Sequence, residues 1–232
     1  MTWTEPPPRL VRDGWDQASR IYRPDEAAAD VFGHGVGDHR AWLRPLFEEL
    51  KEGARILDLG CGCGVPDCAL LAERFRVTGV DLSEVQIERA RRSVPAATFV
   101  RADMTEVAFR AESFDAVLCL YSLIHVPLPA QRPLLGRIRS WLKPRGWLVI
   151  ITGHTAFEGV EDDWLGSGAP MYWSHADAPT YRRWLEEVGF EIRDQTLIPE
   201  GEVGHELFRA TARGPPGVGP PTSGPRNVSA GT

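Results

Sequence analysis

Between Arg55 and Arg92 the chain reads RILDLGCGCGVPDCALLAERFRVTGVDLSEVQIERARR, and this stretch constrains the fold more than any other. An apolar run over 55–59 leads into three glycines at alternate positions, Gly60, Gly62 and Gly64, with Asp58 two residues ahead of the first. A helical pattern follows over about 66–74, where Pro66 suits a first helical position. A second apolar run over about 76–80 ends at Asp81, twenty-one residues after Gly60. Strand, glycine turn, helix and strand make a crossover unit that places a nucleoside-bearing ligand at the mouth of a parallel sheet. Gly60 and Gly62 let the backbone approach that ligand without a Cβ collision, so that loop amides can face it.

The alternation continues downstream. A helix begins at Ser83, whose pairing with Gln86 matches a capping box. A third strand, Thr98 to Arg101, ends near Asp103. The runs Phe114 to Leu120 and Trp147 to Thr152 are apolar throughout, as strands covered on both faces should be. Between them lies a helix over about Ala130 to Lys143, bounded by Pro129 and Pro144. A helix from Pro179 to Val188 and strands over about Glu191–Leu197 and Glu206–Ala212 close the pattern. Such βα alternation calls for an α/β, doubly wound sheet.

Two weaker helical patterns precede the sheet and are expected to lie over its carboxyl edge. The first, Val11 to Tyr22, spaces Trp15, Ala18, Ile21 and Tyr22 three or four apart. The second, about Asp38 to Lys51, contains Pro45, which should kink it or mark its first turn. We expect a loose lead-in over 1–10 and a single domain over 11–213. Within it, 11–52 form an N-terminal helical lid and 153–178 an irregular insertion on the substrate side. The Pro/Gly/Ser-rich tail, 214–232, is expected to be disordered.

Composition narrows the function. The formal charge is −6, only Lys51 and Lys143 are lysines, and no basic run stands out, which argues against a nucleic-acid partner. No stretch approaches 18 apolar residues, and the N-terminus lacks the apolar core of a signal peptide, so a cytoplasmic protein without a membrane partner is expected. Cys61, Cys63, Cys68 and Cys119 read as free thiols. A zinc site built on the first three lacks a fourth ligand and would deform the glycine loop.

A dinucleotide site would show G-x-G-x-x-G. Here the third glycine comes one residue early, after D-x-G-x-G. This segment resembles motif I of the class I S-adenosylmethionine-dependent methyltransferases, and the order of elements from Trp15 to Ala212 is similar to that family. The resemblance implies a Rossmann-like sheet of about seven strands, mostly parallel with an antiparallel last strand, and helices on both faces. It implies S-adenosylmethionine as cofactor and S-adenosylhomocysteine as product. Asp58 would meet the α-ammonium directly or through water, Asp81 the ribose hydroxyls, Asp103 the adenine amine, and Met104 the adenine ring. Tyr22, Gly60, Cys61, Gly62, Leu82, Gln86, Cys119 and Leu120 complete the expected cofactor set. Taken singly, Asp58 could serve a helix dipole, Asp81 a loop and Asp103 a turn.

The acceptor is narrowed by what is missing. Leu120-Tyr121-Ser122-Leu123 replaces the Asn/Asp-Pro-Pro-Tyr of base-modifying relatives, and Thr152-Gly153-His154 lacks the acidic cluster of metal-dependent ones. The expected reaction is metal-independent, in-line transfer of the methyl group to a small molecule. Alternatives are a non-catalytic S-adenosylmethionine-binding protein and a nicotinamide-dependent oxidoreductase. His125, His154 and His175, each near a strand or helix end, are the candidates for a base or an acceptor-positioning group, with His205 behind them. Trp15, Tyr22, Tyr121, Trp164, Tyr172 and Trp173 are candidates to line an acceptor pocket.

Overall fold

A computed structural model describes residues 7–25, 27–200 and 203–214. The expected tail is therefore outside the described residues from 215 onward, as are residues 1–6 of the expected lead-in. The central sheet has seven strands: β1 (Arg55–Leu59), β2 (Arg76–Asp81), β3 (Thr98–Arg101), β4 (Phe114–Cys119), β5 (Leu142–Gly153), β8 (Phe190–Glu200) and β9 (Val203–Ala212). Two further strands, β6 (Phe157–Glu161) and β7 (Met171–His175), form a separate ribbon. The sheet order is β3-β2-β1-β4-β5-β9-β8. β1 to β5 pair in parallel, and β9 runs antiparallel to both its neighbours, β5 and β8. The last strand is thus the reversed one.

Strand periodicity assigns the two faces. Leu57, Leu59, Val117 and Cys119 pack with α6 (Leu128–Trp141) and α7 (Ala178–Glu187). Ile56, Ala116 and Leu118 pack on the other face with α3 (Arg44–Glu49), α4 (Asp67–Ala72) and α5 (Glu84–Ser93). Chain order reverses between β1 and β4, and such a switch point opens a crevice beyond the strands' carboxyl ends.

Several boundaries differ from expectation. α1 (Pro7–Tyr22) starts four residues before Val11, because prolines are tolerated in a first turn, where no intrahelical N–H partner is needed. The second helix is two: α2 (Val36–Trp42) ends at Leu43, and α3 begins with Pro45 in its first turn. A continuous helix would drive the Pro45 ring against the Ala41 carbonyl. Instead the Ala41 and Trp42 carbonyls accept from Arg209 of β9, at 3.2 and 2.9 Å. β5 starts at Leu142 rather than Trp147, since Leu142 pairs with Phe114 across a register shift. The insertion is not irregular: β6 and β7 pair antiparallel from Phe157↔His175 to Glu161↔Met171. β6 is half exposed and carries no apolar alternation, so its strand character comes from its partner.

α1 crosses the carboxyl edge and is fastened at two places. Toward α5, Ser19 Oγ donates to Gln86 Oε1 at 2.7 Å, and the buried Arg89 donates to Ser19 O and Oγ, both at 2.7 Å, and to Arg23 O at 2.6 Å. Toward the ribbon, Ala18 packs with Trp164 and Met171. Gly14 makes the second approach possible, because a Cβ there would lie 2.7 Å from the Pro170 carbonyl oxygen.

Candidate cofactor and acceptor site

The glycine loop is pinned before it meets any ligand. Gly60 N and Cys61 N donate to Val80 O at 2.7 and 3.0 Å, which ties the loop to the end of β2. Gly60 has φ +76, and a Cβ on it would stand 2.2 Å from Ser122 Cβ, so only glycine lets the loop pass the turn after β4. Ser122 Oγ closes that contact by donating to Leu59 O at 2.6 Å.

Beside the loop, Asp81 accepts from Gly62 N through Oδ2 and from Ser83 N through Oδ1, both at 2.9 Å. Burial raises its pKa to about 6 against the opposing effect of those amides. One strand further along, Asp103 accepts from Thr105 N and Thr105 Oγ1, both at 2.7 Å and both on Oδ1. It therefore shapes a turn and still fronts the crevice.

A single cavity joins these groups. Tyr22, Gly60, Cys61, Gly62, Asp81, Leu82, Gln86, Asp103, Met104 and Leu120 all line it. Asp58 and Cys119 do not; both are buried beneath the loop. Asp58 Oδ2 accepts from the Cys68 thiol at 3.3 Å, and burial, aided by Asp67 and Asp81, raises its pKa to about 7. Cys119 Sγ lies 3.1 Å from Ser122 Oγ, and its pKa is pushed up to about 12 by burial. The first residue of the D-x-G-x-G pattern thus sits behind the cavity wall.

The histidines separate sharply. His125 lies in a short 3-10 turn, Leu123–His125, and lines the cavity. Its Nδ1 is 2.8 Å from Tyr172 O, and a carbonyl only accepts, so Nδ1 carries the proton and Nε2 presents a lone pair. Burial lowers its pKa to about 4, against that hydrogen bond. Its ring lies 4.5 Å from that of Trp173 and 5.7 Å from that of Trp15. His154 instead pairs with Glu206 at 2.9 Å, His175 with Thr155 O at 2.7 Å, and His205 with Glu200 at 3.1 Å; none lines the cavity. The ribbon after β5 and the β8–β9 edge take up all three.

Of the aromatic candidates, Trp15, Tyr22 and Tyr121 line the cavity. Trp164 backs Trp15 edge-on at 4.8 Å, and Trp173 in turn meets Trp164 edge-on at 5.5 Å. Tyr172 points its hydroxyl to Glu158 at 2.8 Å. Tyr121 holds φ +52, a strained conformation for a non-glycine residue, and donates to Glu200 Oε1 at 2.6 Å.

Sequence reasoning missed His39 and Asp67, which also line the cavity. His39 Nδ1 lies 2.8 Å from Asp67 Oδ1 across 28 residues of chain, and its buried Nε2 has no hydrogen-bond partner. The only signal was their proximity to the glycine break and the glycine loop. All four cysteines are free, and no group of three or more His, Cys, Asp or Glu among the described residues is arranged to hold a metal ion. No helix among them is long and apolar enough to cross a membrane.

Residues 56–146 match a family model described as a methyltransferase domain. The chain is 40% identical over 120 residues to demethylmenaquinone methyltransferase of Clavibacter sepedonicus, covering 50% of this chain and 48% of that one. It is 26% identical over 219 residues to sterol 24-C-methyltransferase of Debaryomyces hansenii, covering 82% and 52%. The chain thus spans about half the length of these curated relatives. Among solved structures, Burkholderia thailandensis 1,6-didemethyltoxoflavin-N1-methyltransferase, with bound 1,6-didemethyltoxoflavin and S-adenosylhomocysteine, superposes with a TM-score of 0.66. At 22% identity, with 92% of this chain and 93% of that one covered, this likeness establishes the shared fold.

Proposed function

We propose, on the premise that this chain belongs to the class I S-adenosylmethionine-dependent methyltransferase family, that it moves a methyl group from S-adenosylmethionine to a small-molecule acceptor. The reaction we infer is a metal-independent, in-line displacement that releases S-adenosylhomocysteine. The observation that carries this reading is the single cavity in which Gly60, Gly62, Asp81, Asp103 and Met104 meet at the ends of β1, β2 and β3. Gly60 lets the loop pack against Ser122 at the cavity wall, and the acidic groups around the cavity suit a ligand with a cationic centre. When bound, the cofactor supplies an electrophilic methyl group on a sulfonium.

The chain's own residues supply position and dryness. Asp81, already oriented by two backbone amides, keeps lone pairs for ribose hydroxyls. Asp103 and Met104 front the adenine end. α1 and the β6–β7 ribbon act as a lid whose inner face presents Trp15 and Tyr22. His125 Nε2, held as a lone pair, positions the acceptor or takes its proton. The toxoflavin-type neighbour and the quinone-type relative support a small-molecule acceptor.

Calorimetric titration with S-adenosylhomocysteine and with NAD tests the reading. We expect S-adenosylhomocysteine to bind and NAD not to, and the reverse result would overturn it. Asp81→Ala should weaken S-adenosylhomocysteine about 10–100-fold, the value of one or two hydrogen bonds to a charged group, while leaving the fold cooperative. An unchanged dissociation constant would count against the ribose assignment.

A further inference from the structure

We propose that Asp16 of α1 is a positioning residue for ribose recognition: through Ser83 it sets the turn that orients Asp81. This rests on the cofactor reading above and deepens it by making the lid helix a support of the cofactor site. Asp81 owes its orientation to two amides, Gly62 N and Ser83 N, both at 2.9 Å. Gly62 belongs to the glycine loop, which the end of β2 already holds through Val80 O. Ser83 lies in the turn between β2 and α5, and that turn is fastened from outside, by α1.

Ser83 is buried, and its hydroxyl proton goes to Asp16 Oδ1 at 2.5 Å while its lone pair accepts from Gln86 N at 3.1 Å. The same Oδ1 accepts from Val85 N at 3.3 Å, a first-turn amide with no partner inside α5. Without an acceptor at position 16, a buried hydroxyl and a helix-terminal amide lose their partner together, and Ser83 N loses the fastening that aims it at Asp81. One helical turn further along α1, Ser19 donates to Gln86 at 2.7 Å and accepts from Arg89 at 2.7 Å, so α1 stays docked on α5 when Asp16 is replaced. Asp16 therefore acts on one end of this seam, the end beside Asp81. Its chain neighbour Trp15 lines the cavity, so one helix carries both part of the acceptor wall and the support of the ribose site.

The test titrates S-adenosylhomocysteine and its dideoxyribose analogue, which lacks only the ribose hydroxyls, into wild type, Asp16→Ala and Asp16→Asn. At pH 8 Asp81, whose pKa is raised to about 6, is ionised; Asp16 contributes to that rise, so its removal leaves Asp81 ionised as well. Asp16→Ala should weaken S-adenosylhomocysteine about tenfold, no more than Asp81→Ala does, and leave the analogue within about twofold. Asp16→Asn keeps a carbonyl oxygen where both bonds converge and should bind S-adenosylhomocysteine within about threefold of wild type. Unchanged analogue affinity shows that the site is still folded in both variants. Equal losses for both ligands, or no loss for either, would overturn the inference. So would a loss in Asp16→Asn as large as that in Asp16→Ala, which would make charge rather than hydrogen-bond geometry responsible. If wild type binds no S-adenosylhomocysteine the cofactor reading fails, and if it binds both ligands equally the ribose assignment fails; this inference falls with either.

Discussion

Burial and a place on the cavity wall distinguish His125 from His154, His175 and His205. The Tyr172 carbonyl fixes its tautomer, and the apolar surroundings hold its pKa near 4, so the ring stays neutral through the physiological range. A base of this kind is available above its pKa and lost only as the pH falls toward it. His125→Ala is therefore expected to lower kcat about 10²–10³-fold with little change in S-adenosylhomocysteine affinity. The acidic limb of the wild-type rate profile should fall near pH 4 rather than 6.5. Steady-state rates across pH 4–9, once an acceptor is identified, check both points. A rate near that of wild type in His125→Ala at every pH would end its candidacy. His154, bonded to Glu206 on the neighbouring strand, offers no equivalent geometry toward the cavity.

α1 forms one wall of the cavity, through Val11, Trp15, Ser19 and Tyr22. Its grip on α5 is polar, through Ser19, Gln86 and Arg89, and its grip on the ribbon is a close steric fit at Gly14. Glycine within a helix is unfavourable by about 1 kcal/mol relative to alanine, so its presence in α1 reflects packing rather than propensity. Gly14→Val would push a side chain against the Pro170 backbone and the Met171 side chain. We expect a loss of about 1–3 kcal/mol in denaturant unfolding, typical of overpacking. Because the displaced surface carries Trp15, acceptor KM should rise more than the dissociation constant of S-adenosylhomocysteine. Equal stability and unchanged KM would show that α1 does not depend on this contact. The element was visible as a weak helical period, but its docking was not, since Gly14 reads as a helix defect until the ribbon beside it is seen.

For the molecule as a whole, Asp58 links the site to stability. Its folded pKa, about 7, lies above the ordinary carboxylate value, so between about pH 4 and 7 the unfolded chain is ionised there while the native one keeps its proton. The group's contribution is fully present at low pH and is lost as the pH rises through about 7. Asp58→Asn, which stays neutral and can still accept from Cys68, should raise stability at pH 8 by roughly 1–3 kcal/mol and flatten the slope between pH 4 and 7. Thermal melts over that range check the prediction; a variant less stable at pH 8 would contradict it. The amino-acid sequence by itself determined the βα order, the reversed last strand through family resemblance, and the glycine loop with Asp81 and Asp103. Those features are encoded locally, in apolar periods and in residues at strand ends. Tertiary structure alone decided which ionisable groups face the cavity. His39 meets Asp67 across 28 residues and His125 meets Tyr172 across 47, through packing that no local period encodes. It likewise withdrew Asp58 beneath the loop and paired β6 with β7, because burial and strand pairing depend on what the rest of the chain places alongside.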